Sequence, residues 1–313
     1  MKVLDFSVRK NLFLSLLGLT FVLGACSSQA TAPTSVPNTN LNNSGSGVNA
    51  GATQSTSSNG STAFTYENVD IVIDSMDQQN KFTDDTSTSG AFVLRLATKE
   101  SNKTDSSVYI PYGDVFHLIS PDGNSIPASE EKTADTIGQG VIRNNWVDFP
   151  LESKQNIDKL ILHIGKADEH QMDIPLTKNP DLSQYQPKTI TPNSKLQYGG
   201  VDWTVTKVTA SLNAEGKQAD VGKRYIAVEL LVNNSGADSF YVDPSSYIRL
   251  KSQDVSQAPT SSTLQLPISA GSKGATGVVY FLMPESDTQL TLDFLAQSDS
   301  HIKEASTSFQ IPA

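Results

Sequence analysis

One cysteine and four histidines in 313 residues leave little for sulfur, metal or acid–base chemistry. A lone cysteine excludes any disulfide within the chain, so each folded body must hold by packing. Charged residues reach only 18% and hydrophobic residues 37%, both below the average for globular chains. Ser, Thr, Asn, Gly and Ala fill the difference, so part of the chain is expected not to pack. Positive charge is also short: 23 Lys and Arg stand against 33 Asp and Glu, a net charge of −10. Nucleic acid needs a basic footprint, and this balance excludes it as a partner.

What is present begins with an address. Lys2, Arg9 and Lys10 are followed by an uncharged apolar run from Leu12 to Leu23. That run is too short to cross ~30 Å of hydrocarbon as a helix, but it suits the core of an export signal. It ends in Leu23-Gly24-Ala25-Cys26, which resembles the lipobox of bacterial lipoproteins. The resemblance implies cleavage between Ala25 and Cys26 and a diacylglycerol on the Cys26 sulfur. The alternative is an ordinary secretory signal with a chance cysteine, although the one cysteine of the chain stands where the motif requires it. The expectation is a signal peptide over 1–25 and a lipid bilayer as partner through Cys26. The protein would then be anchored to the cell membrane, facing its extracytoplasmic side. Losing residues 1–25 removes Lys2, Arg9, Lys10 and Asp5, which takes the net charge from −10 to −12.

Residues 26–63 read as the lipidated cysteine and a flexible tether. From Ser27 to Thr62 there is no charge and no aromatic ring. Such a stretch cannot bury enough apolar area to offset the entropy of ordering it. As a coil its 36 residues span roughly 30–36 Å, enough to lift a domain clear of the headgroups.

Beyond the tether the pattern changes to short alternating runs broken by turn residues, as in Val69, Ile71 and Ile73, which predicts strands. Prolines 180, 187 and 192 interrupt the pattern, and an interdomain linker is placed at 177–195. The second body repeats the first. Val201, Trp203 and Val205 follow Val69, Ile71 and Ile73 by 132 residues, and Tyr247–Leu250 follows Val115–Leu118 by the same offset. Ile226, Val228 and Leu230 follow Phe92, Leu94 and Leu96 by 134, which suggests a difference in loop length. The expected fold is all-β: two tandem immunoglobulin-like β-sandwiches over 64–176 and 196–313, each near the ~100 residues of that architecture. Gly222–Leu230, Asn233-Asn234-Ser235 and Gly277–Phe281 with Pro284 resemble a family of bacterial immunoglobulin-like domains of unknown function found on exported lipoproteins. The resemblance covers 196–295 and implies a β-sandwich without an assigned activity.

Motifs that would carry chemistry are incomplete or out of place. Gly216–Lys223 has one residue too many for a phosphate loop and precedes a strand, so it reads as a hairpin turn. Ser129–Lys132 and Ser300–Lys303 have the spacing of a penicillin-binding serine and lysine but lack the partner motifs. His163 reads as a solvated strand residue, and His170 as a loop histidine beside carboxylates. Asp84-Asp85 and Glu130-Glu131 read as solvated charge pairs, and Trp146 and Trp203 as core. No cofactor or metal is expected. Tyr241, Asp243 and Tyr247 are the candidate contact residues, because an aromatic near a loop apex binds at little entropic cost. The expected function is non-enzymatic: a lipoprotein binding or positioning a protein or polymer partner at the cell envelope. The alternatives are an envelope hydrolase with an unrecognised site and a passive spacer.

Overall fold

The computed structural model describes residues 56–58, 61–86, 90–253, 255–298 and 301–312. The export signal, Cys26 and the tether up to residue 55 lie outside the described residues. Residues 51–313 cluster into one compact unit.

The first half of that unit contains β1 (Thr56–Ser58), β2 (Thr62–Tyr66), β3 (Val69–Gln79), β4 (Phe92–Asn102), β5 (Val108–Tyr109) and the one-turn α1 (Tyr112–Val115). It continues through β6 (Phe116–Ile119), β7 (Ser125–Pro127), β8 (Glu130–Glu131), β9 (Thr136–Ile137), β10 (Ile142–Leu151), β11 (Ile161–Ile164) and β12 (Met172–Pro175). One sheet runs β1-β3-β4-β10-β8 with β2 also on β3, and the other runs β12-β11-β6-β7. Every pairing is antiparallel. Alternation explains the layers: Ile71, Ile73, Leu94, Leu96, Val147 and Phe149 point from the larger sheet into a core shared with Phe116, Leu118, Leu162 and Ile174 of the smaller one.

The second half has β13 (Lys188–Ile190), β14 (Ser194–Tyr198), β15 (Val201–Ser211), β16 (Asn213–Ala214), β17 (Lys217–Gln218) and β18 (Lys223–Asn233). Then come α2 (Pro244–Tyr247), β19 (Ile248–Lys251), β20 (Ser256–Gln257), β21 (Ser261–Ser262), β22 (Ala275–Pro284), β23 (Gln289–Phe294) and β24 (Ala305–Gln310). Its sheets run β13-β15-β18-β22-β21, with β14 on β15, and β20-β19-β23-β24. The chain is therefore all-β, built as two sandwiches of the same strand order. Trp203 lies at the centre of the second core, against Phe294.

The repeat extends to irregularities. A bulge falls between Ile73 and Ser75 in β3, and again 132 residues later between Val205 and Lys207 in β15. Asn102 and Asn234, also 132 apart, end β4 and follow β18, and both are buried. The Asn102 side chain donates to the Ser106 carbonyl and accepts from the Thr104 amide. Asn234 donates to the Asp238 carbonyl and accepts from the Gly236 amide, the same geometry. A buried amide that satisfies a turn's backbone groups explains why an asparagine stands at this place in both copies.

Three expectations are corrected. The 134-residue offset along β4 and β18 is 132: Leu96 pairs with Met76 as Val228 pairs with Val208. A slip of two residues leaves the same side chains facing inward, so alternation alone cannot fix it. The second correction concerns boundaries. β1 lies inside the expected tether and β13 inside the expected linker, both pairing with the long strand that follows. These edge strands, Thr56-Ser57-Ser58 and Lys188-Thr189-Ile190, are only three residues long, too short to show hydrophobic alternation. Third, Trp146 is not a core residue. Val147 and Phe149 take the inward parity of β10, which puts Trp146 on the outer face beneath the Arg95 guanidinium, 3.7 Å from its ring centre.

Candidate functional site

The two sandwiches meet through loops that differ between the copies. The β2–β3 turn is Tyr66-Glu67-Asn68-Val69, with φ of 49° at Glu67 and 62° at Asn68. Its counterpart is Tyr198-Gly199-Gly200-Val201, where glycines take the same left-handed geometry at no steric cost. A glutamate in that region is strained by roughly 1 kcal/mol or more. In the first copy the Asn68 side chain is used at the joint. Asn68 Oδ1 accepts from the Gly216 amide at 2.8 Å, and Gly216 lies at the tip of the β16–β17 hairpin of the second sandwich.

The same hairpin arm reaches the first sandwich at a second place. The His170 amide donates to the Ala219 carbonyl at 2.7 Å, and the Val221 amide donates to the Asp168 carbonyl at 3.0 Å. Gln218 donates to the His170 carbonyl, and the His170 ring is 3.2 Å from Glu285. Leu212 inserts into the first core. The stretch expected as a hairpin turn is a turn, and it is also the strut between the two bodies.

Beneath the joint lies a cluster of four titratable groups. Tyr66 donates to Glu169 at 2.6 Å, and Lys166 reaches Glu169 at 3.0 Å and Glu67 at 3.8 Å. Burial pushes Glu67 up to about 7, with Lys166 opposing the shift and the Glu169 charge adding to it. Burial would raise Glu169 too, but donors from Tyr66 and Lys166 outweigh it and hold that carboxyl below its ordinary range. A carboxyl whose folded pKa is raised supports the fold when protonated, so this support is present below pH ~4.5 and fades as pH rises through 7. Glu67→Gln is expected to raise stability at pH 8 by up to about 3 kcal/mol and to flatten the pH 5–8 dependence, read by urea unfolding at several pH values.

Beside the joint, between the sandwiches, is a groove of about 490 Å³. Thr65, Asp70, Lys103, Thr104 and Asp105 form its wall on the first body; Thr209, Ser211, Asn213, Glu215, Thr263 and Tyr280 form the other. Asp70 is paired with Lys103, and Glu215 accepts from Ser261. The lining carries three carboxylates and one ammonium among hydroxyls and amides.

The residues singled out in sequence lie elsewhere. Tyr241 is 63% exposed. Asp243 caps α2, accepting from the Ser245 amide and from the Ser245 and Ser246 hydroxyls. Tyr247 packs against the second core. His163 is paired with Asp173, and His170 belongs to the joint. The acidic pairs are not simply solvated: Asp85 is buried against Arg95. No single motif announced the groove, because its residues come from five strands and three loops and converge only through the joint. Among the described residues, no helix is long and apolar enough to cross a membrane.

The fold thus defines a tandem all-β sandwich module. Residues 190–304, nearly the whole second sandwich, match a family model described as a domain of unknown function (DUF4352). Among solved structures, the chain is similar to the crystal structure of a conserved domain protein from Bacillus anthracis, at 9% identity and a TM-score of 0.22. That likeness covers 82% of this chain and 90% of the other. No curated protein matches the chain.

Proposed function

We propose that this chain is an envelope lipoprotein that holds a polar partner in the groove between its two sandwiches. The observation that carries the reading is the groove itself, walled by both bodies and lined by hydroxyls, amides and carboxylates. Such groups offer donors and acceptors to a chain rich in hydroxyl, amide or amine groups. Asp70, Asp105 and Glu215 against Lys103 favour a neutral or basic partner over an anionic one. The joint fixes both walls before binding, so little ordering entropy is spent when the partner arrives. The anchor is the diacylglycerol on Cys26, with the tether giving reach from the extracytoplasmic face of the membrane; two acyl chains give stable attachment where one is marginal. Cys26→Ser is expected to leave uncleaved precursor on an immunoblot of membranes. Normal maturation of that variant would remove the anchor from the account.

Thr209→Trp fills the groove from near the C-terminal end of β15. The variant full-length protein is expected to capture at least tenfold less envelope material than the parent at an unchanged melting temperature. A second reading rests on the exposed Tyr241 ring. Capture that survives Thr209→Trp and is lost in Tyr241→Ala would move the contact to that loop. Capture by neither protein would leave a passive spacer, and turnover of a wall polymer would make the chain a hydrolase.

A further inference from the structure

Two of the four histidines stand directly opposite each other. His117 of β6 and His163 of β11 form a register pair on the outer face of the smaller sheet of the first sandwich. Directly opposed residues of an antiparallel pair have Cβ atoms ~4.5–5.5 Å apart, close enough for both imidazoles to reach one point. Each ring is held from behind. His163 Nδ1 is 2.7 Å from Asp173 Oδ1 on β12, and His117 Nδ1 is 2.9 Å from the Ser125 hydroxyl on β7. An ionised carboxylate can only accept, so His163 carries its proton on Nδ1 and its lone pair on Nε2. The Ser125 hydroxyl can accept from His117 in the same way. Among the described residues, neither Nε2 has a hydrogen-bond partner.

We propose that His117 and His163 bind a divalent transition metal, Zn²⁺, Ni²⁺ or Cu²⁺, through their Nε2 atoms. An oxygen accepting from the far ring nitrogen is the usual support behind a metal-bound imidazole: it fixes the tautomer and makes the ligating nitrogen more basic. The fold does not demand this pair. The second sandwich has the oppositely charged Arg249 and Asp293 at the corresponding register, with the Asp293 carboxylate taken by Lys251. Imidazole suits Zn, Ni and Cu and does not suit Mg²⁺ or Ca²⁺, which take oxygen ligands. Zinc takes four ligands, so two protein nitrogens leave two positions for water or for a donor from a partner. The order of affinity is Cu²⁺ above Zn²⁺ and Ni²⁺. The site lies outside the groove lining, so it stands or falls apart from the function proposed above.

The test is calorimetric titration of the purified full-length chain in detergent with Zn²⁺ alone, and Cu²⁺ resonance spectroscopy for nitrogen coupling. One ion per chain with coupling to two nitrogens is expected, and no heat with Mg²⁺. His117→Arg combined with His163→Asp installs the pair that the second sandwich uses, so it should fold with an unchanged circular dichroism spectrum and lose binding. Asp173→Asn should weaken binding 10–100-fold. His170→Gln, at the joint, should leave it unchanged. Absence of binding at 1:1 up to about 1 mM Zn²⁺, a concentration well above typical protein zinc affinities, would overturn the site. Undiminished binding by the His117→Arg/His163→Asp protein would do the same.

Discussion

Arg95→Ala is expected to cost the first sandwich about 3–5 kcal/mol, the range for breaking a buried ion pair from one side. Arg95 stands on the outer face of β4 and grips Asp148 with two parallel bonds, Nε at 2.8 Å and one terminal nitrogen at 2.7 Å. It also reaches Asp84 at 2.8 Å and Asp85 at 2.9 Å. Its guanidinium is stacked between Phe82, 4.0 Å away, and Trp146. The side chains of Asp85 and Asp148 are 1% and 2% exposed. Glu130 brings a further carboxylate oxygen within 4.8 Å of both. Without the guanidinium these groups face one another in a poorly hydrated place, and the aromatic pair loses its filling. Burial already pushes Asp148 up to about 6 against the pull of Arg95. The deficit should therefore shrink as pH falls through that range and the carboxylates protonate, a change that simple loss of packing would not show. Arg95→Lys keeps one charge but neither the fork nor the stack, and should recover less than half of the loss in urea unfolding at pH 7.

Arg143→Ala should have an effect of similar size on the opposite face of the same sheet. Glu100 is fully buried and accepts from Arg143 Nε at 2.7 Å, Tyr112 at 2.7 Å, Asn145 at 3.0 Å and Thr98 at 3.2 Å. Removing the guanidinium leaves a carboxylate held only by neutral donors. The second sandwich solves the same position without charge. Val232 replaces Glu100, Ala275 replaces Arg143 and Gly277 replaces Asn145, as the β18–β22 register shows. Gly277 is needed there, since a Cβ would come within 2.7 Å of Leu264. Glu100→Val with Arg143→Ala should accordingly be more stable than Arg143→Ala alone, although it deletes one more polar partner. A double-mutant cycle in urea reads this as a favourable coupling between the two residues. Additive losses would mean that the pair does not act as a unit.

Much of the architecture was legible because burial writes itself as alternation. The strands that fill both cores and the shared offset at Val69 and Val201 both follow from which side chains must leave water. What was illegible depends on contacts between distant segments. Asp85 reads as a solvated loop residue until Arg95 is seen across from it, and Trp146 reads as core until the parity of Val147 and Phe149 is applied. The joint was hidden for the same reason. Glu67 and Asn68 look like an ordinary turn, and only comparison with Gly199-Gly200 reveals that side chains at a strained turn must serve something. The groove has no motif because a polar wall assembled from separate strands leaves no periodic trace.

A photoreactive side chain at Thr104 or Thr209, in the full-length protein in its own membrane, reads the occupant of the groove directly. The same partner should be captured from both positions, which lie on opposite walls, while the same probe at Tyr241 gives background. Capture from Tyr241 with none from either wall would contradict a partner held between the two sandwiches.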